Sequence, residues 1–486
     1  MTDEQEPQNT ADAPELTPGV DNGLDNLETR EADVVEPTAE VVRHGGTFES
    51  FRYRAYTLFW SGALVSNAGS WMQAYALGIV VYAFRRSSFD LGLVNFFSQI
   101  PVLFLALPAG LLADRVSKRK LIIWAQAILL LQAAALGYLY TTGHLSSKTP
   151  VMSLVWVAAL GLVGGVMSAL TFPAWQSFLP ELVPRKSLLN AIALNSAQFQ
   201  SSRLLGPLIA GALVVAGAGM GEIFYVNAAS FLFVIAALWA MRPPTPAALG
   251  YAPGDPGPSG RPAGAGTQRE GSMKTLLAGI QYARQNSAVG WLIVTTAVLT
   301  VFGFPYMTLL PAIVNRTLGL PLNGAEYKHA VAYIMAANGL GAMFGALVVA
   351  SLPATTKRER LIPFTLVGFA AALVGFALSR SLTVTILFST VGGMAILSTN
   401  SLSNTSIQAA VPGHLRGRVM ALFIMSFMGI MPISGLLFGW IGGLIGPSNA
   451  VLVGAIALGA WALLLVFRRS MITPKEPSEV PAANVA

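Results

Sequence analysis
The chain has 486 residues, 54% of them hydrophobic and only 11% charged, with a mean hydropathy of +0.60. A water-soluble domain carries about 25% charged residues, so this surface cannot all face water. Cysteine is absent, which excludes disulfides, thiolate metal sites and cysteine nucleophiles, and the net charge is +7.

In chain order, residues 1–50 come first. Up to position 45 they carry twelve acids, from Asp3 to Glu40, against Arg30 and Arg43 alone. This stretch lacks the apolar content to order itself and is expected to be a disordered acidic tail. It has no basic start followed by an apolar core, so it does not read as a cleavable signal.

Apolar windows bounded by turn residues then predict twelve membrane-spanning helices. They cover 55–83, 91–112, 121–141, 151–179, 188–216, 222–241, 288–314, 329–352, 361–379, 383–410, 416–442 and 448–467. Residues 51–241 form one six-helix bundle, and 273–470 form a second with a short interfacial helix ahead of it. Between them, 242–272 is rich in Pro and Gly and reads as a flexible cytoplasmic linker. In "MKTLLAGIQYAR" the helical spacing of Met273, Leu276, Leu277 and Ile280 predicts a helix lying on the membrane surface. Residues 471–486 are a second tail.

Placing both termini in the cytoplasm leaves only Arg85, Arg86, Lys148, Arg316, Lys328 and Arg380 outside, with Arg203 inside a span. That asymmetry fixes the orientation, and it makes the basic excess a topology signal rather than a nucleic-acid footprint. The halves also resemble each other. "PRKSLLNAIALN" opens helix five and "PGHLRGRVMALF" opens helix eleven, while "SKRKLII" pairs with "KRERLIP". The expected fold is therefore an all-α membrane protein of two pseudo-symmetric six-helix bundles.

The stretch "GLLADRVSKRK" crowds its charges into the turn between helices two and three. Gly110 permits close helix approach there. Asp114 ends a span, where the N-terminus of helix eleven with Arg416 and Arg418 can hold it; Arg115 and Arg119 complete the cluster. This group is expected to latch the two halves together in one conformation only. In "SSRLLGPLIAGA", Pro207 kinks helix five, and Gly206 and Gly211 allow a tight seam with Gly339, Gly341 and Gly345 of helix eight.

Arg203 is the one clear charge at bilayer depth. Such a residue costs about 2.5–3.5 kcal/mol on insertion scales, so it is expected to face protein or a wet cavity, with a polar neighbour such as Gln99. The polar and aromatic residues at mid-depth are cavity candidates: Asn67, Trp71, Gln73, Gln99, Asn195, Gln198, Tyr306, Asn338, Asn400 and Asn404. Among acids at the membrane border, Asp90 and Glu222 are the candidates for proton coupling, while Glu181 is expected to pair with Arg185 or a motif arginine. His44, His144, His329 and His414 have no metal spacing and read as solvated loop residues, so no metal or cofactor is expected. There is no Walker loop, HExxH or Gly-x-Ser-x-Gly, and hence no enzyme signature.

Taken together, these motifs resemble the major facilitator superfamily, whose signature is a Gly, three residues, Asp-Arg and a basic cluster between helices two and three. "LVSNAGSWMQAYAL", "TFPAWQSFLPELVPRKSLLNAIALN" and "FGFPYMTLLPAIV" narrow the resemblance to the bacterial branch of the enterobactin exporter and macrolide-efflux proteins, the transmembrane secretion effectors. The Gly206–Pro207–Gly211 segment resembles that superfamily's antiporter motif, with Ser202 and Ala210 in place of two glycines. The resemblance implies a monomeric inner-membrane exporter of a drug-like compound or siderophore, driven by protons, with sodium as the alternative ion. A lipid translocator and a non-transporting receptor or scaffold are the other readings.

Overall fold
The computed structural model describes residues 46–242, 244–245, 247–249, 272–353 and 355–473. The acidic opening, most of the 242–272 linker and the tail after Thr473 lie outside them, as do the side chains at 106, 107, 111, 113–115, 272–278 and 414. Among the described residues the regular structure is helical, with no β-strand.

The first half consists of α1 (Arg54–Arg85), α2 (Ser88–Arg115), α3 (Lys118–Thr141), α4 (Pro150–Phe178), α5 (Leu188–Val215) and α6 (Met220–Ala240). After the linker, α7 (Ser272–Gln285) is the short amphipathic helix expected there. The second half is α8 (Ser287–Gly303), α9 (Pro305–Thr308), α10 (Leu310–Arg316), α11 (Ala325–Ala350), α12 (Ile362–Leu378), α13 (Leu382–Ala410), α14 (Gly413–Ile424), α15 (Met431–Ile445) and α16 (Pro447–Phe467).

Helix seven of the sequence reading is thus three pieces, α8 to α10. Pro305 and Pro311 bring no N–H to an α ladder, and each sits in the first turn of a new piece, where that loss is harmless. Helix eleven is α14 and α15 joined by a π turn, Met425–Gly429. Pro432, just beyond, cannot donate to the carbonyl four residues back, and the chain widens there.

Ten segments among the described residues are long and apolar enough to cross a membrane, and α1 and α5 are not among them. The physical reason is their polar content. Helix α1 carries Asn67 and Gln73, and α5 carries Asn195, Gln198, Gln200 and Arg203. Both pack on each other and on neighbouring helices, so these groups are not offered to lipid.

The repeat is visible in the packing. Helix α2 lies on α4 and α3 on α6, just as α11 lies on α13 and α12 on α16. The two most extensive contacts between the halves are α2 with α15 and α5 with α11, and α1 adds smaller ones to α10 and α11. Both of the extensive contacts use small residues, because only van der Waals contact drives apolar helices together in lipid. A Cβ on Gly439 would lie 3.0 Å from Gly92 Cα, and one on Gly211 would lie 3.0 Å from the Ala332 Cβ.

The seam expected between helices five and eight needs correction. Gly339 does abut the Arg203 and Leu204 backbone, but Gly341 and Gly345 face α13, where their would-be Cβ atoms run into Thr390 and Met394. Gly206 packs on Ala68 and Trp71 of α1. Gly110 has nothing within 4 Å of its would-be Cβ, so no close approach occurs at that end of α2 in this conformation.

Candidate functional site
A cavity of about 460 Å³ opens between the halves, walled by α1 to α6 on one side and by α9, α10, α11 and α15 on the other. Its surface is mostly apolar, from Trp71, Tyr75, Phe231, Phe304, Met335 and Met431 among others. The break in helix seven supplies Phe304, Pro305 and Thr308 to the wall, and Met431, the first residue of α15 after the π turn, lines it too. Irregular backbone at membrane depth is tolerated where it faces such a cavity.

Among the described residues lining this space, Arg203 is the single charged side chain and none is a carboxylate. Its Nη2 donates to Asn338 Oδ1 of α11, across the seam, and its guanidinium lies 5.4 Å from the Trp71 ring centroid. Fully buried Asn338 in turn donates through Nδ2 to the Tyr306 hydroxyl and, at 3.3 Å, to the Ser389 carbonyl. Tyr306 is wedged edge-on against Phe369 and Phe376, at 6.1 and 5.3 Å between ring centroids. The cation is therefore held by neutral groups, and its charge is not cancelled locally.

Of the cavity candidates, Trp71, Gln73 and Gln99 line the space with Arg203, while Tyr306 and Asn338 stand behind Arg203. Gln99 does not hold Arg203 as expected; its Nε2 approaches Met431 Sδ at 3.6 Å instead. Asn67 donates to Gln198 at 3.4 Å, and Gln198 donates to Ser202, so this pair braces α1 against α5. Asn195, Asn400 and Asn404 are not among the lining residues; Asn404 accepts from Gln408 at 2.7 Å.

Sequence reasoning missed Asn95, Ser98 and Gln132. Asn95 Nδ2 and Ser98 Oγ are buried without a hydrogen-bond partner at the cavity wall. Gln132 accepts from Gln73 at 3.3 Å, and Asn227 donates to Gln73 at 2.8 Å. The signal was present in the chain: each is a polar side chain inside an otherwise apolar helix.

At the α1–α2 end the halves are tied by several hydrogen bonds. The Tyr75 hydroxyl donates to the Lys328 carbonyl at 3.0 Å and the Tyr82 hydroxyl to Asn315 Oδ1 at 3.4 Å. Arg316 donates to the Arg86 carbonyl at 3.0 Å, and Arg86 holds a left-handed φ of 52° to present it. Beside them, Asp90 is only 2% exposed and lies 3.8 Å from Arg85 Nε, its Oδ2 without a hydrogen bond. Its backbone N–H is capped by Ser87 Oγ at 3.2 Å. Glu222 is exposed in the first turn of α6.

Two further expectations change, and a third falls outside the described residues. Glu181 pairs with Lys118 of the basic cluster at 2.5 Å, and Lys118 also donates to the Ser177 carbonyl, so this link joins α3 to the end of α4. His329 is no loop residue: it is half-buried within α11, with Nε2 unpartnered. The side chains of Asp114 and Arg115 lie outside the described residues, so the latch they would form with Arg416 and Arg418 is not visible; Arg119 donates to the Trp239 carbonyl at 3.2 Å. Among the described residues no cluster of His, Asp or Glu has a metal-binding arrangement.

Two bundles packed around a central cavity with a lone cation define a multi-pass membrane transporter of the major facilitator kind, not an enzyme. Solved structures of that shape agree on the fold. The nucleoside transporter NupG superposes with a TM-score of 0.61 at 14% identity, over 87% of this chain and all (100%) of that one. A bacterial homolog of the human lysosomal transporter Spinster gives 0.56 at 16%, over 89% and 100%. More particularly, the chain belongs to the transmembrane secretion effector family, whose pattern it matches over residues 45–484. It is 24% identical to the enterobactin exporter EntS of Shigella boydii over 76% of this chain and 81% of that protein. It is also 24% identical to the staphyloferrin A transporter of Staphylococcus aureus, over 78% and 87%.

Proposed function
We propose that this protein exports a bulky, oxygen-rich anionic small molecule, of the siderophore or drug-like kind, by alternating access. The observation that carries the reading is Arg203, bonded across the seam to Asn338 in a cavity with no carboxylate among its described lining residues. A half-buried guanidinium whose partners are all neutral attracts an anion, and its planar fork suits a carboxylate or paired oxygens. The apolar and methionine-rich walls accommodate a large, irregular body. Two relatives named as an enterobactin exporter and a staphyloferrin A transporter support this reading.

With both termini in the cytoplasm, the hydrogen-bonded α1–α2 end is periplasmic, and the open space around Gly110, Gly413 and Gly417 is at the cytoplasmic mouth. The conformation is then inward-open, ready to load from the cell. Closing the inner mouth would bring Asp114 to the start of α14, near Arg416 and Arg418. Asp90, buried and half-satisfied beside Arg85, is the better proton carrier of the two acids considered, because exposed Glu222 has no environment that changes with the cycle.

Purified protein in liposomes, loaded with radiolabelled enterobactin or a macrolide and given an imposed pH gradient, tests the reading. Enterobactin is expected to move, and Arg203→Ala is expected to cut the rate about tenfold, the worth of one charge-assisted contact. Asp90→Asn is expected to remove the response to the pH gradient while Glu222→Gln keeps it. Movement of the neutral or cationic compound alone, with Arg203→Ala unaffected, would refute an anion site.

A further inference from the structure
We propose that the groove between α7 and α8 is a binding site for an anionic phospholipid. The groove has a volume of about 380 Å³ and is lined by Ile280, Arg284, Gly290, Trp291, Val294 and Leu422, among others. It is separate from the central cavity and opens on the outside of the bundle, where Val294 is 40% exposed. Its apolar wall belongs to a helix long and apolar enough to span the membrane, and its mouth is the junction where α7 leaves that helix.

The groove is held in shape rather than formed by loose helices. The Tyr282 hydroxyl donates to the Ala410 carbonyl at 3.4 Å and accepts from Asn286 Nδ2 at 3.3 Å. Asn286 Oδ1 caps α8 by accepting from the Val289 N–H at 3.3 Å. On the other side, Gly279 lies so close to the Arg418 carbonyl that a Cβ there would sit at 2.9 Å. Helix α7 is thereby clamped between α8, the end of α13 and α14.

Chemistry names the occupant. The two helices bordering the mouth, α7 and α14, include Arg284, Arg416 and Arg418 and have no aspartate or glutamate in their sequence. Arg284 is exposed at the rim, beside the Ser287 hydroxyl. A ligand with an anionic head and a hydrocarbon tail satisfies both ends, whereas inorganic phosphate would use the rim and leave the apolar wall empty. A zwitterionic lipid fills the wall but gains little from the cations, since juxtamembrane basic groups are worth about 1 kcal/mol each only toward net negative headgroups. Lipid bound here would brace α7 against α14, the helix at which the inner mouth must close.

The test uses the full chain, purified in detergent and stripped of lipid. Phosphatidylglycerol, phosphatidylcholine of identical chains, or inorganic phosphate is added, and retained lipid is read by native mass spectrometry alongside the melting temperature. Phosphatidylglycerol is expected to be retained at least several-fold over phosphatidylcholine and to give the larger rise in melting temperature, as a ligand of the folded state does. Arg284→Gln is expected to remove that preference, and Val294→Trp, at an exposed position, to plug the groove and lower retention of both lipids. Equal retention of the two lipids by the unaltered chain would overturn the proposal, whatever the variants do. So would a preference that survives both substitutions, or a thermal shift reproduced by phosphate alone.

Discussion
At Arg203 a single hydrogen bond has two jobs, holding a cation in place and bridging the halves. Asn338 is well suited because it is neutral: it fixes the guanidinium without cancelling its charge. Replacing it with aspartate supplies the missing negative charge. Asn338→Asp is expected to hold the seam more tightly and raise the melting temperature, yet to reduce export of an anion at least tenfold, since the site is then neutral before substrate arrives. Asn338→Leu is expected to lower stability by about 1–3 kcal/mol, leaving the half-buried guanidinium without its acceptor. Thermal melts and transport assays on the two variants separate these effects. The sequence disclosed Arg203 because a charge in an apolar span must have a reason. It could not disclose Asn338 as its partner, because pairing across the seam depends on how two helices from different halves meet. For the same reason Gln99 was a sensible but incorrect choice, an amide that lines the same cavity but from α2, where it meets Met431 of α15.

Helices carry a different kind of information, and most of it was legible. Twenty-residue apolar runs placed the rods, and prolines 305, 311 and 432 mark where two of them break. What glycine spacing left open was the identity of the neighbour. Gly339, Gly341 and Gly345 are close in sequence, but successive helical positions turn to different sides, so Gly339 meets α5 while the other two meet α13. This gives a sharp contrast. Gly341→Val drives a branched side chain into the Thr390 backbone and is expected to cost about 3 kcal/mol or more, seen as a clear drop in melting temperature. Gly110→Ala meets open space and is expected to leave stability unchanged in this conformation. Its effect is expected in turnover instead, because the small residue is required only when the inner mouth shuts.

For the molecule as a whole, the two halves behave as a pair of rigid bodies only if their outer seam parts during the cycle. The α5–α11 contact allows a direct trial, helped by a chain that contains no cysteine of its own. Disulfides need Cβ atoms about 3.5–4.5 Å apart. A Cβ at Gly211 would stand 3.0 Å from that of Ala332, so a small outward shift of the helices brings the pair into range. In Gly211→Cys/Ala332→Cys protein, oxidation is expected to lock the halves together at this seam and stop export, while leaving substrate free to bind from the open side. Reduction is expected to restore transport, and neither single variant should respond to oxidant. Binding measured by calorimetry beside transport in liposomes reads both halves of that expectation. If the cross-linked protein exports at the unmodified rate, the seam at Gly211 stays shut throughout the cycle, and the passage outward must form between other helices.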